Sequence, residues 1–127
     1  MAKDTVNVRY MIADVAKAAE FYTAHFGFTV ESNAAPAFIA ITRGQLRLLL
    51  SGPASSGARP LPDGRKPEPG GWNRMQFIVE DLAAEVARLK SDGVQFRSDI
   101  ISGPGGKQIV LDDPSGNLVE LFQPAGR

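Results

Sequence analysis

The chain contains no cysteine. That excludes disulfides, thiolate metal sites and a cysteine nucleophile, and fits a reducing compartment. Histidine is nearly as scarce. His25 is the only one, so no serine or lysine has a convincing histidine partner for nucleophilic catalysis. Net charge is missing as well, because 14 basic and 14 acidic residues cancel. A neutral chain has no general pull on nucleic acid or on an anionic membrane, so neither is expected as a partner. No apolar run approaches membrane-spanning length. The opening "MAKDTVNVRY" lacks the apolar core and small-residue cleavage site of a signal peptide. The expected location is the cytoplasm.

What is present suits one ordinary domain. The chain has 127 residues, and 43% of them are apolar, enough to build a core. It also repeats itself. "VNVRYMIADVAKAAEFYTAHFGFTV" can be laid over "WNRMQFIVEDLAAEVARLKSDGVQF". Each copy opens with an apolar run that suits a strand and ends at an aspartate, Asp14 or Asp81, placed as a helix N-cap. Val15, Ala18, Ala19, Tyr22 and Phe26 fall on one face of the first helix; Leu82, Val86 and Leu89 do so in the second. Gly27 and Gly93 follow the helices, where a left-handed C-cap favours glycine. Strands are expected next, at "FTVES" and "VQFRS". The second halves, "PAFIAITRGQLRLLLSGP" and "GKQIVLDDPSGNLVELFQP", each read as strand, glycine turn (Gly44 or Gly116) and strand. The unit is β-α-β-β-β, present twice, and the fold class is α+β.

Between the copies lies "GPASSGARPLPDGRKPEPGG", residues 52–71, half of which are proline or glycine. Such a stretch cannot be a helix or a central strand. It is either a tether or a lid over a ligand. "SGPGGKQ", residues 102–108, lacks the spacing of a phosphate loop and reads as a turn. Module one is placed at about 4–52, the linker at about 52–71 and module two at about 72–124.

The doubled unit, with "ADVAKAAEFYTAHFGF" after the first strand and "DDPSGNLVELFQP" at the end, resembles the vicinal oxygen chelate superfamily. That group includes glyoxalase I, extradiol dioxygenases, fosfomycin-resistance enzymes and bleomycin-resistance binding proteins. The resemblance covers nearly the whole chain. It implies curved sheets forming a cleft, often in a homodimer, and it implies positions for metal ligands. In the metalloenzymes a histidine or glutamine stands seven residues before each strand-end aspartate, which points here to Asn7 and Arg74. The family glutamate corresponds to Glu120. Aligning Gly44 with Gly116 makes Leu48 its counterpart in the first module.

These four residues are a poor donor set. Leucine cannot ligate, and arginine offers no lone pair and repels a dication. Asn7 is a weak ligand, which leaves Glu120 alone. No metal and no cofactor are therefore expected. An acid among apolar neighbours in "NLVEL" needs a positive partner. The expected partner is Arg74, its guanidinium standing where a metal-binding histidine would. His25 reads as a helical residue near the C-terminal end of the dipole.

Strand alternation assigns the cleft face. Asn7 brings Arg9 and Met11. Arg74 brings Trp72 and Gln76. Glu120 brings Leu118 and Phe122. The fourth strand is expected to add Leu46, Leu48 and Leu50, and Phe38 fits either core or cleft. Trp72 reads as a core or dimer-contact residue, or as a platform for a flat ring. The candidate ligand-binding set is thus Asn7, Arg9, Phe38, Leu48, Trp72, Arg74, Gln76, Glu120 and Phe122. Its mixed character suits a hydrophobic or aromatic small molecule.

Three functions follow. The leading expectation is a metal-independent binding protein that sequesters its ligand, in the manner of the bleomycin-resistance proteins, as a homodimer. The alternative is a glyoxalase- or dioxygenase-like lyase or isomerase, using Glu120 as general base or a metal held by other groups. The third is an interaction module with no small ligand.

Overall fold

Each helix begins where an aspartate closes its first turn. In the computed structural model, which describes residues 6–126, Asp14 Oδ1 accepts from the Lys17 amide at 3.1 Å, and Asp81 Oδ1 from the Ala84 amide at 3.0 Å. The chain divides into two units, with the boundary between Gly70 and Gly71. The expected start of module one, at about residue 4, lies outside the described residues.

The first unit runs β1 (Asn7–Met11), α1 (Val15–Phe26), β2 (Thr29–Ala34), β3 (Phe38–Arg43) and β4 (Leu46–Ser51). Its sheet has the order β1-β4-β3-β2, with β1 parallel to β4 and the other pairs antiparallel. The apolar stripe of α1, namely Val15, Ala18, Ala19, Tyr22 and Phe26, is buried. So are Ile39, Ile41, Leu48 and Leu50 from the sheet. Gly27 ends α1 at φ 70°, with its amide on the Tyr22 carbonyl.

The second unit repeats the plan with β5 (Met75–Ile78), α2 (Leu82–Ser91), β6 (Ile101–Gly103), β7 (Gly106–Asp112) and β8 (Leu118–Pro124). The order is β5-β8-β7-β6. Leu82, Val86 and Leu89 of α2 are buried, as are Phe77, Ile109, Leu111, Val119 and Leu121 of the sheet. The two β-α-β-β-β modules of the sequence reading are therefore both present, each with its own four-stranded sheet.

One strand differs from expectation. "VQFRS" forms only a single bridge, Phe96 to Leu111, and the edge strand starts at Ile101. The reason is local: the Val110 amide donates to the Ser98 hydroxyl at 3.1 Å rather than to a backbone carbonyl. A side chain has taken a ladder position, and the edge is split there. "SGPGGKQ" is the β6–β7 hairpin, closed by Gly103 opposite Gly106.

The Pro/Gly-rich segment is not a bare connector. The Gly52 amide bonds the Ala37 carbonyl at 2.9 Å. Ser55 donates its hydroxyl to the Gly52 carbonyl at 2.7 Å, and a 3₁₀ turn at Ser56–Ala58 buries Ala58. Further on, Asp63 accepts from both the backbone and the side chain of Arg65. Those bonds, the backbone one foremost, hold its carboxyl below the usual carboxylate value.

Candidate functional site

The second unit places three predicted residues in one hydrogen-bonded group. β5 and β8 are parallel, with Gln76 beside Glu120. Gln76 Nε2 donates to Glu120 Oε2 at 2.7 Å. Arg74, just before β5, donates from Nε to Glu120 Oε1 at 3.0 Å. The Glu120 side chain is 7% exposed and that of Arg74 27%. A carboxylate this buried is tolerable because each oxygen has a donor, one of them charged. Phe122, on the same face of β8, pairs with Ile78 and Gln108. Trp72 lies outside the strand and is 77% exposed.

The first unit gathers a different group. Arg9 Nη1 donates to the Ser51 hydroxyl at 2.8 Å. Arg9 and Phe38 line a pocket of about 320 Å³ with Ala37, Arg47, Leu49, Ala54, Ser55 and Ser56. Asn7 is exposed at the start of β1, in register with Arg47. Arg47 is itself engaged, with Nε 2.6 Å from Glu31 Oε1.

Leu48 does not belong here, and its placement is corrected, with that of Leu50. Both are fully buried, on the face that packs under α1. Register decides it: Arg9 pairs with Leu49, and Val8 with Leu48. Paired residues share a face, so Arg47, Leu49 and Ser51 accompany Arg9. The glycine alignment failed because the two hairpins differ in length. Arg43 faces Leu46 across a tight turn, whereas Asp112 faces Leu118 across the longer loop 113–117. By strand register, the counterpart of Glu120 is Leu49. Arg47, Leu49, Ser51, Ser55 and Ser56 were missed; the phase of β1 against β4 would have found the strand residues.

That longer loop explains "DDPSGN" without invoking chemistry. Asp113 is 4% exposed. Its Oδ1 accepts from the amides of Ser115 at 2.8 Å and Asn117 at 2.9 Å, and its Oδ2 from Asn117 Nδ2 at 3.2 Å. The motif builds the turn that starts β8. His25 is half-buried in the last turn of α1, its ring edge-on to Phe21 with centroids 5.2 Å apart.

Among the described residues no three His, Cys, Asp or Glu side chains cluster as metal ligands. The family positions now read Asn7, Leu49, Arg74 and Glu120, with both oxygens of Glu120 engaged. This donor set does not fit a dication. No helix among the described residues is long and apolar enough to cross a membrane.

Residues 6–121 match the Glyoxalase/Bleomycin resistance protein/Dioxygenase superfamily. The chain belongs to that superfamily, the vicinal oxygen chelate group that the doubled unit resembles. Solved structures agree in fold. Lactoylglutathione lyase from Agrobacterium tumefaciens superposes with a TM-score of 0.74 at 19% identity, over 97% of this chain and 96% of the other. TnmS3, an antibiotic binding protein from Streptomyces sp. CB03234, gives 0.72 at 25% identity, over 98% and 99%. The fosfomycin resistance protein FosX from Listeria monocytogenes gives 0.72 at 15%, over 98% and 96%. No curated protein sequence matches the chain.

Proposed function

We propose that this chain is a metal-independent binding protein that sequesters a hydrophobic or aromatic small molecule on the sheet faces turned away from the helices. The observation that carries the reading is the state of Glu120. The acid at the family's ligand position has its two oxygens taken by Arg74 Nε and Gln76 Nε2, so a fixed guanidinium supplies the charge that a metal would. The likeness to an antibiotic binding protein at 25% identity, across almost the whole of both chains, supports the same reading. The pocket beside Arg9, at about 320 Å³, is at the small end of ligand cavities.

The test is a ligand screen by native mass spectrometry on protein purified without added metal, with metal content measured in the same sample. The expected result is one ligand per chain and no stoichiometric transition metal. A bound zinc, nickel, iron or manganese whose removal abolishes ligand capture would overturn the reading. The protein is further proposed to be a symmetric homodimer, the commonest assembly among soluble oligomers. Light scattering at micromolar concentration is expected to give twice the chain mass, and a monomer there removes the dimer from the proposal.

A further inference from the structure

The pocket beside Arg9 has a charge that the proposed function does not yet use. Arg9 commits Nη1 to Ser51, a residue with no exposed surface. Among the described residues no other side chain accepts from its guanidinium, and no carboxylate pairs with it. The other cation in the lining, Arg47, is balanced by Glu31. Among the described residues the pocket thus holds one uncompensated positive charge, beside an aromatic ring, Phe38, and a half-buried Leu49. The guanidinium is also backed by the linker. A Cβ on Gly57 would stand 2.5 Å from Nη1 and 2.8 Å from Cζ, so only glycine leaves the arginine in this position. The residue is held from both sides, by a buried hydroxyl and by bare backbone.

From this we infer that the first unit carries an anion-reading subsite, specific for the carboxylate of a flat, apolar monoacid. The acid group meets the free N–H groups of Arg9, and the ring lies against Phe38 and Leu49. A single unpaired cation matches a monoanion; a guanidinium donates to a carboxylate in a planar, charge-assisted fork. The inference rests on the small-molecule-binding reading and adds the class of ligand.

Three probes of one shape separate the possibilities: 2-naphthoate, 2-naphthamide and 2-naphthylmethylammonium. Each is titrated into the full chain by calorimetry, with amide NMR shifts to locate binding. The expected order is naphthoate first, by about tenfold over the amide, with the cation last. Shifts should fall on Arg9, Phe38, Leu49 and Ser55. In Arg9→Gln the preference for the acid should shrink to within about twofold, while Arg9→Lys keeps part of it. Raising the salt should weaken naphthoate and leave naphthamide unchanged. Equal binding of acid and amide in this pocket, or an acid preference that survives Arg9→Gln, overturns the subsite while the binding reading stands. Failure of all three probes to reach the pocket also overturns the subsite. The native mass spectrometry screen then decides the parent reading by itself.

Discussion

Gln76 and Glu120 stand side by side on parallel strands, with Nε2 of the amide 2.7 Å from Oε2 of the acid. Arg74 holds only the other oxygen, through Nε at 3.0 Å. The acid in "NLVEL" is therefore met by two donors rather than one. A neutral donor and a charged one share the task of keeping a nearly buried carboxylate in a sheet.

This division sets the cost of removing Arg74. Breaking one side of a buried pair costs about 3–5 kcal/mol, and of an exposed pair about 1 or less. Arg74 is 27% exposed on its side chain, and Gln76 stays in place. Arg74→Ala is expected to lose about 1–3 kcal/mol, read as a lower urea midpoint at unchanged slope. Arg74→Met combined with Glu120→Leu should recover most of it, because no charge is then left without a partner. A double variant as unstable as the sum of the two single changes would sink the pairing account.

Glu120→Gln separates binding from catalysis. The introduced amide still accepts from Arg74, and the Gln76 amide can turn to present its oxygen. The stability loss should stay near about 1 kcal/mol, with ligand capture close to that of the parent chain. An enzyme using Glu120 as general base would lose turnover in this variant while keeping affinity. Substrate conversion abolished by this change alone, with Tm and affinity preserved, would establish the catalytic alternative.

The loop before β8 offers a check that the terminal motif is structural. Asp113 serves three donors from inside the protein. Asp113→Ala strands two backbone amides and the Asn117 side chain, and is expected to cost about 2–4 kcal/mol. Asp113→Asn keeps one acceptor oxygen and should recover about half. Ligand affinity at Arg9 should not move in either variant, since the bonds Asp113 makes to Ser115 and Asn117 stay within its own loop. A loss of naphthoate binding at matched stability would contradict that assignment.

The parts of this structure legible in the sequence were those set by local rules. Asp14 and Asp81 as caps, the buried stripes of α1 and α2, and glycine after each helix depend on neighbours within a turn or two. The approach of Arg74 to Glu120 was also legible, because both positions follow from the repeat. What failed depended on register between distant strands. Leu48 and Leu49 differ by one step, and one step changes the face. Only the β1–β4 pairing decides between them, and glycine alignment cannot supply it when the hairpins differ in length. Gln76 could be placed on the face of Glu120 by alternation, yet its bond to Oε2 needed the β5–β8 register. The pocket beside Arg9 was hidden for a third reason. Part of its lining, Ala54, Ser55 and Ser56, comes from a segment whose composition announces only that it is neither helix nor central strand.

Glycine at 106 is the sharpest test of the second sheet. It opens β7 opposite Pro124, at φ 146°. A Cβ there would meet the Gln123 carbonyl oxygen directly, the Ala125 nitrogen at 3.0 Å and Phe122 Cζ at 3.0 Å. Two of these are backbone, of β8 and of the residue just past its end, and cannot swing aside. Gly116, in the loop before β8, has φ 82° but open space around its Cα. The two sites therefore isolate two costs. Gly116→Ala carries the conformational penalty alone, about 1–2 kcal/mol. Gly106→Ala carries that penalty plus displacement of the β8 end, and should exceed it by about 2 kcal/mol or more. It should also speed amide exchange across the β7–β8 ladder near Lys107 and Gln123, which are register partners, whereas Gly116→Ala should leave those amides protected. Equal midpoints for the two variants, or unchanged exchange at Lys107 and Gln123, would mean that β8 does not pass this close to Gly106.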